Sequence, residues 1–134
     1  GKIGKMIFLD TNIFIEIFKG NPFVIGIVQS LDSNSLALSS ITEMELYYGA
    51  LNKLELRRIK KNLRQFDIYH LTTSISATAT ALIEIHSKSH NLQIPDALIA
   101  ATAMENGSEL LTLNIKDFKY IDDLRLFKLP SCSL

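Results

Sequence analysis

The feature that most constrains this chain is a set of three short segments in which an acidic residue lies among apolar residues. They cover residues 7–12, 41–46 and 94–100, with the sequences IFLDTN, ITEMEL and IPDALIA. Apolar neighbours bury the backbone around each carboxylate, and carboxylates gathered in a buried place are costly unless a cation neutralises them. The sequence therefore predicts a fold that brings distant acids together around a divalent metal ion.

Strand-like and helix-like segments alternate along the chain. Apolar or β-rich runs predict strands at 5–9, 35–38, 66–71, 110–113 and 124–129. Periodicity predicts helices at 12–19, from 22, from 40 to about 49 or 53, through the basic segment that follows, from 73 or 74 to 90, and at 95–105. Strands separated by helices predict a three-layer α/β/α fold, in which helices flank a mainly parallel central sheet. A chain of 134 residues is expected to form a single domain, residues 1–134.

Several helix ends are predicted from capping residues. Ser40 and Glu43 have the spacing of a capping box, which would engage the Glu43 carboxylate with the backbone of its own helix. Thr73 or Ser74 is expected to cap the long helix. Asn106 followed by Gly107 predicts a helix end in the left-handed conformation.

Composition excludes several classes of protein. Hydrophobic residues make up 47% of the chain, which is typical of globular proteins and not of disordered or fibrous ones. Apolar runs are shorter than the ~20 residues that a membrane-spanning helix needs, so no membrane segment is expected. The single cysteine, Cys132, has no internal disulfide partner, and a cytoplasmic location is expected. Because the first methionine is Met6, residues 1–5 are expected to be partly vector-derived.

Charge is balanced overall, with 14 basic and 14 acidic residues, but it is unevenly distributed. One segment is strongly basic and contains a single acid, Glu55; its cations are Lys53, Arg57, Arg58, Lys60, Lys61 and Arg64. A solvated helix face explains such a run in most proteins. The functional alternative is docking of an RNA backbone, since phosphate contacts give affinity without sequence choice.

Asp10 is the acid whose position is most informative. In open parallel sheets ligands bind beyond the carboxyl ends of the strands, and Asp10 follows the first predicted strand. The alternative is a helix cap, which Thr11 or Asn12 would provide equally well. A functional role is therefore favoured for Asp10.

Glu45 and Asp96 each have a structural alternative. Glu45 shares a helix face with Ile41 and Tyr48, which are expected to draw it toward the protein body, where a salt bridge or a ligand would satisfy it. Asp96 lies in the first turn of a helix, where the macrodipole stabilises a carboxylate. Small apolar residues after Asp96 favour a buried helix that turns this acid inward.

The four motifs together resemble a PIN domain, and most closely the VapC-type toxin ribonucleases. They are LDTN at 9–12, ITEMEL at 41–46 with Gly49, DALIAATA at 96–103, and TLN at 112–114 followed by Asp117-Phe118. They occur in the family's order, and the match covers residues 6 to 121. The resemblance implies that Asp10, Glu45 and Asp96 are catalytic, metal-binding carboxylates.

The fourth acidic position of the family is divided in this chain between two residues. Many members have an acid where this chain has Asn114, and others have it at the position of Asp117, which is our fourth catalytic candidate. Thr11, Asn12 and Thr112 are expected to support the carboxylates as hydrogen-bonding neighbours, together with Asn114.

The resemblance implies a metal-dependent endoribonuclease that uses Mg²⁺, for which Mn²⁺ substitutes. A metal-activated water would hydrolyse RNA phosphodiester bonds. It also implies a toxin that pairs with a cognate antitoxin protein and assembles as a homodimer. The alternatives are a PIN nuclease of RNA processing without an antitoxin, and an inactive PIN scaffold that binds RNA or protein, for which Asn114 is the best support. An aspartyl-phosphate phosphatase is disfavoured because Asn12 stands where a second aspartate is needed.

Other residues suggest sites that we interpret as structural or secondary. His86 and His90 have the spacing of a metal-ligand pair, but are interpreted as ordinary helix-surface histidines. Tyr47 and Tyr48 are candidates for stacking on bases, with at least one of them expected in the core. Apolar residues of the first two helices exceed what one buried face needs, which fits either a core helix pair or an antitoxin-covered groove.

Overall fold

The computed structural model describes residues 6–131. The predicted strand start at Lys5, the predicted origin of residues 1–5 and the thiol of Cys132 lie outside the described residues.

A five-stranded sheet forms the centre of the fold. Its strands are β1 (Ile7–Leu9), β2 (Leu36–Ser39), β3 (Asp67–Tyr69), β4 (Glu109–Leu111) and β5 (Arg125–Leu126). They are arranged in the order β3-β2-β1-β4-β5, and every pairing is parallel. The prediction of a parallel α/β sheet is confirmed. The edge strands are shorter than predicted; the backbone N–H of Phe66, for example, bonds to the carbonyl of Leu63 as part of the preceding helix end.

In the described range, 6–131, six helices pack around the sheet. They are α1 (Thr11–Phe18), α2 (Pro22–Gln29), α3 (Ser40–Tyr48), α4 (Lys53–Leu63), α5 (Thr73–His90) and α6 (Ile94–Glu105). Two short 3₁₀ turns lie at Ser33–Ser35 and Ile115–Asp117. The basic segment is helix α4, as predicted.

Alternate strand residues face two separate cores. Phe8 and Leu110 pack on one face with the buried residues of α5 and α6. Leu9 and Leu111 pack on the other face with those of α1, α2 and α4. Since successive strand side chains point to opposite faces, wholly apolar strands need helices on both sides. The three-layer arrangement follows.

The capping predictions are partly wrong. Ser39, not Ser40, is the N-cap of α3, and its hydroxyl accepts a hydrogen bond from the N–H of Ile41 at 3.1 Å. Glu43 closes no capping box; it accepts a hydrogen bond from the hydroxyl of Tyr47 at 3.0 Å. The cause is that β2 runs directly into α3, so that the last strand residue is the one with an extended backbone at the helix start.

At the next two helix ends one prediction fails and one holds. Thr72 caps α5 in place of Thr73 or Ser74, and its hydroxyl accepts from the N–H of Ile75. Gly107 has a φ of +59°, which confirms the left-handed conformation predicted after α6.

Within residues 6–131, no single helix is long and apolar enough to cross a membrane. Only α1 and α2 taken together would meet those criteria, and they are bent by 117° at the break between them.

Candidate metal-binding acidic site

The site lies at the carboxyl ends of the two central strands. Asp10 directly follows β1, and Thr112 directly follows β4, its neighbour in the sheet. The N–H of Asp10 continues the ladder by bonding to the carbonyl of Leu111 at 2.9 Å. Parallel pairing therefore places residues 102 positions apart in the sequence side by side.

Asp10 is buried and held by two hydrogen bonds. The whole residue is only 4% exposed to solvent. One carboxylate oxygen accepts from the N–H of Thr11 at 2.8 Å and the other from the hydroxyl of Thr112 at 2.7 Å. Burial raises the pKa of Asp10; the two hydrogen bonds lower it in part, and the charges of Glu45 and Asp117 raise it further. Asp10 also serves as the N-cap of α1, so the capping role and its place in the acidic site coexist.

Thr112 organises the strand end around Asp10. It is fully buried. While donating to Asp10, its hydroxyl oxygen accepts from the N–H of Asn114 at 3.0 Å and from Nδ2 of Asn12 at 3.3 Å. The side-chain oxygen of Asn12 in turn accepts from the N–H of Leu113 at 3.2 Å. The supporting roles expected for Asn12 and Thr112 rest on these contacts.

Glu45 is exposed but directed by Thr11. The Thr11 hydroxyl donates to Oε1 of Glu45 at 2.7 Å and lies 3.0 Å from the hydroxyl oxygen of Thr42. Because a hydroxyl has a single proton, Thr42 is then the donor to Thr11. The expected reason for the orientation of Glu45 holds for Ile41, which packs against the core, but is wrong for Tyr48, which is 94% exposed.

Thr42 is a further residue of the site that was not among the predicted site residues. This residue is completely buried beneath the Thr11–Glu45 contact. It precedes Glu45 by three residues on the same helix, so it shares a helix face with it. That spacing is the signal that would have identified it.

Asp96 is half-buried in the first turn of α6. Ala97, Ala100 and Ala101 are fully buried behind it, which confirms that α6 packs inward. Burial raises the pKa of Asp96 to about 6, with further contributions from the charges of Asp10, Glu45 and Asp117.

Asn114 and Asp117 share the turn that follows β4. The carbonyl of Asn114 accepts from the N–H of Asp117 at 3.0 Å, which closes the 3₁₀ turn. Asp117 is exposed, and its charge contributes to the raised pKa values of Asp10 and Asp96. Asp117 thus adds negative charge near Asp10 and Asp96, and the carbonyl of Asn114 closes the turn; which of the two residues fills the fourth acidic position stays a prediction.

The four carboxylates have the chemistry of a site for a hard cation. Across the described part of the chain, no lysine or arginine forms an ion pair with Asp10, Glu45, Asp96 or Asp117. In the same range, no three acidic, histidine or cysteine side chains stand close enough to enclose an ion by themselves. Mg²⁺ prefers oxygen ligands and keeps several of its waters, so an open set of carboxylates fits it better than a closed cage would.

A groove of about 880 Å³ opens next to the site, between α1, α2, α3 and α4. Its apolar lining includes Ile15 and Phe18, whose side chains are 41% and 40% exposed. Glu45 lies at its border, and Arg58 of the basic helix lines it from α4. All six cations of the basic segment are exposed.

The histidines do not join the carboxylates. His86 and His90 instead pack against the ring of Tyr120, a partner that the sequence analysis did not identify. His70 is exposed after β3. Tyr47 is half-buried and bonded to Glu43, and Tyr48 is exposed, so the expectation that at least one of the two tyrosines is a core residue is met only in part.

Comparisons with known proteins agree on one family. The sequence profile described as the PIN domain matches residues 7–124. Ribonuclease VapC2 of Rickettsia felis is 30% identical over 128 residues, which cover 88% of this chain and 93% of that protein.

Solved structures give the same result. A chain of a toxin–antitoxin complex from Klebsiella pneumoniae is 32% identical, with a TM-score of 0.75, over 88% of this chain and 94% of that one. A chain of VapBC2 from Rickettsia felis, solved bound to a promoter DNA fragment, has a TM-score of 0.80 at 28% identity, over 91% of this chain and 97% of that one.

Proposed function

Since this chain belongs to the PIN domain family and is of the VapC type, we propose that it is a metal-dependent endoribonuclease and the toxin of a toxin–antitoxin pair. The observation that carries the proposal is the mutual charge effect of Asp10, Glu45, Asp96 and Asp117; within residues 6–131 no three of them stand close enough to enclose an ion, so phosphate oxygens and water would complete its ligands. The charges of the other three act on Asp96, whose pKa is raised to about 6, and no basic side chain within residues 6–131 neutralises them. Relatives named ribonuclease or endonuclease support the same activity.

The proposed metal ligands are Asp10, Glu45 and Asp96, with Asp117 at the border of the site. Mg²⁺, or Mn²⁺ in its place, would neutralise the phosphate charge and promote deprotonation of the attacking water. Asp10 offers a carboxylate fixed by two hydrogen bonds, so its oxygens do not need to reorganise. One oxygen of Glu45 is held by Thr11, and the other has no hydrogen bond or ion pair to any residue in the range 6–131.

The basic helix α4 is the proposed docking surface for the RNA backbone. Its exposed cations lie on the helix that borders the groove next to Glu45. Replacing Lys60 and Lys61 by Gln should weaken RNA binding and lower the slope of log affinity against log salt by roughly one per lost phosphate contact. A Lys128→Gln variant, exposed after β5, is the control. Equal salt slopes for all three proteins would remove α4 from the interface.

The partner is proposed to be an antitoxin that occupies the groove. The solved relatives are toxin–antitoxin complexes, and the exposed rings and aliphatic chains of the groove suit an apolar segment of a second protein. Phe18→Glu should prevent co-purification with the product of a neighbouring small reading frame, because it places a charge in this apolar lining. Retained co-purification would place the partner elsewhere.

A homodimer is proposed through the end of α3. Met44, Tyr48 and Leu51 are 52%, 94% and 85% exposed; Met44 and Tyr48 share a face of α3 at i and i+4, and Leu51 follows in the segment after the helix. Large apolar side chains clustered at the surface mark interaction sites. The RNA substrate and the toxin role together suggest the cytoplasm as the location.

Cleavage of single-stranded and structured RNA by the metal-loaded protein tests the activity. The parent protein should cut RNA with Mg²⁺ or Mn²⁺ and stop when EDTA is added. Asp10→Asn and Asp96→Asn should each lower the rate by at least about a hundredfold, while Asp122→Asn, an exposed acid outside the site, should not. Full activity in both site variants would show that the site is misassigned.

A further inference from the structure

Three aromatic rings form a compact cluster at the end of α5. His90 stacks on Tyr120, with ring centroids 4.0 Å apart and ring planes inclined by 12°. The ring of His86, one helical turn earlier, lies 4.9 Å from that of Tyr120 and 5.8 Å from that of His90. Tyr120 comes three residues after Asp117. The cluster therefore joins α5 to the segment that carries one of the four site carboxylates.

The ring cluster adjoins the acidic site. Burial raises the pKa of the Tyr120 phenol, and the negative charges of Asp96 and Asp117 raise it further. Both carboxylates must lie near the phenol to act on it in this way. Helix α6, which presents Asp96 in its first turn, begins four residues after His90. When an RNA strand binds at Asp96, the nucleotides next to the bound one would therefore lie within reach of the three rings.

Only part of this cluster serves the packing of the fold, because the Tyr120 ring packs against the core while His90 is exposed. Phe118 and Ile121, on either side of Tyr120 in sequence, are 1% and 3% exposed and already anchor the segment in the core. His90 is exposed, and its Nδ1 lies 2.9 Å from the hydroxyl of Ser89. Within residues 6–131, the Tyr120 hydroxyl, Nε2 of His90 and both ring nitrogens of His86 have no protein hydrogen bond. These polar atoms are available to a ligand.

Stacked aromatic rings with free polar edges match the chemistry of an unpaired nucleobase. Proteins bind single-stranded RNA by stacking its bases on aromatic or histidine rings and by hydrogen-bonding the base edges. We propose that His86, His90 and Tyr120 form a binding site for an unpaired RNA base next to the acidic site. The proposal rests on the proposed ribonuclease function for the identity of the ligand.

Exposed cations next to the rings complement the same ligand. Lys88 precedes His90 by two residues and Lys119 precedes Tyr120 by one; both are exposed, and neither forms an ion pair with a described residue. Phosphates that flank a stacked base would find a positive charge here. These lysines also offset the repulsion that the carboxylates exert on the RNA backbone.

Binding of two labelled oligonucleotides tests the base site. We would measure fluorescence anisotropy with a single-stranded RNA of about twelve random-sequence nucleotides and with an abasic oligomer of the same length. The protein is the full chain carrying Asp10→Asn, which prevents cleavage. Into this background we would introduce His90→Ala, Tyr120→Leu and Tyr120→Phe, with His70→Ala as the matched control because that histidine is exposed outside the cluster.

The expected result is a loss of affinity that depends on the bases. His90→Ala and Tyr120→Leu should raise the Kd for the ordinary RNA about tenfold and leave the Kd for the abasic oligomer unchanged. Tyr120→Phe keeps the ring and loses the hydroxyl, so it should raise the Kd for the ordinary RNA less than Tyr120→Leu does, whereas His70→Ala should bind both oligomers like the background protein. Circular dichroism melting checks that each variant is folded. If Tyr120→Leu does not fold, His90→Ala alone tests the base site, because His90 is exposed.

Two results would overturn the base site. One is an unchanged Kd for the ordinary RNA in the ring variants. The other is an equal rise in Kd for the ordinary RNA and the abasic oligomer in these variants, or no binding of either oligomer by the background protein. Cleavage by the parent protein separates this failure from that of the proposed function. A parent that cuts RNA while the ring variants bind normally has a nuclease site and no base site here. Base-dependent binding by a parent that cuts no RNA would leave the base site and refute the nuclease.

Discussion

At the scale of single residues, neutral hydroxyls hold the site carboxylates. Thr112 donates to Asp10, and Thr11 donates to Glu45, with Thr42 buried beneath Thr11. A hydroxyl fixes a carboxylate without neutralising it, whereas a lysine or arginine would compete with the metal ion. The negative charge therefore remains available to a cation.

Thr112→Val should separate orientation from charge at Asp10. The substitution keeps the shape of the side chain but removes the donor to Asp10 and the acceptor of the Asn114 N–H. We expect metal affinity, read from the Mg²⁺ dependence of RNA cleavage, to fall by roughly 10- to 100-fold. The free energy of unfolding should fall by about 1–3 kcal/mol. Thr112→Ser keeps the hydroxyl and should retain the metal affinity of the parent. An equal loss of metal affinity in Thr112→Val and Thr112→Ser would show that the hydrogen bond is not the cause.

Asp96 should make the metal-free protein less stable as the pH rises. Its folded pKa of about 6 is above the ordinary value of 3.8. Between these two values the folded state retains a proton that the unfolded state has lost, so the free energy of unfolding falls as pH increases through this window. Below the unfolded pKa of 3.8 the free energy of unfolding is not reduced by Asp96, and above the folded pKa of about 6 the reduction is complete.

Urea unfolding with EDTA at pH 4, 5, 6 and 7 measures this effect. The parent should lose on the order of 1 kcal/mol relative to Asp96→Asn between the ends of the range, a value reduced for the solvent that reaches this half-buried group. Added Mg²⁺ should restore the parent at pH 7 because binding to the folded state stabilises it. Parallel pH profiles for parent and variant would contradict the raised pKa.

At the scale of the elements, the site is assembled by the ends of strands and the start of a helix. β1 and β4 deliver Asp10 and Thr112 to the same edge because they are parallel neighbours. Helix α6 presents Asp96 in its first turn, where the N-terminal dipole favours a negative charge. The position of α6 depends in turn on how the chain passes from α6 into β4.

Gly107 is the residue that permits this passage. Its φ of +59° is unfavourable for residues with a Cβ, so Gly107→Ala should lower the free energy of unfolding by about 1 kcal/mol. Gly26 offers a matched control, because it lies inside α2 and an added Cβ would meet no atom within 4 Å. Gly26→Ala should raise the free energy of unfolding by about 0.5–1 kcal/mol. Thermal or urea unfolding of both variants measures these changes. A change of the same sign in the free energy of unfolding of both variants would contradict backbone strain at position 107.

At the scale of the whole molecule, the sheet separates two cores and leaves distinct surfaces outside them. The groove between α1, α2, α3 and α4 lies on one side of the acidic site, and the ring cluster of His86, His90 and Tyr120 lies beside Asp96 and Asp117. The apolar end of α3 forms a further surface. The proposed sites for an antitoxin, an RNA base and a second subunit use different residues, although the groove and the apolar end of α3 are neighbours.

The dimer proposal predicts a change of mass on substitution at the end of α3. Light scattering coupled to gel filtration should give the parent twice the monomer mass. Tyr48→Glu combined with Leu51→Glu should give the monomer, because charges buried in an apolar interface are costly. Ile85→Glu, at a residue 65% exposed on α5, is the control and should remain dimeric. A double variant that stays dimeric would place the interface elsewhere.

Local sequence patterns predicted the helices and strands because their causes are local. Apolar runs bounded by turn residues gave the central strands to within about two residues, and Gly107 marked the end of α6. The caps of α3 and α5 were each misplaced by one residue, since several neighbouring hydroxyls are chemically equivalent until the backbone direction is fixed. The strand ends 66–71 and 124–129 were overextended, because pairing at a sheet edge depends on the neighbouring strand.

The sequence by itself determined the alternation of strands and helices, and it identified acids at the strand end and the helix start. Periodicity and the strand-to-helix transition at Asp10 are short-range properties that need no partner. Only the tertiary structure decided that Thr42 lies beneath Thr11, that the charge of Asp117 acts on Asp96, and that Tyr120 stacks on His90. These contacts join residues separated by 30 or more positions, or depend on the path of a turn, and they form only when parallel strands pair and helices pack on the sheet.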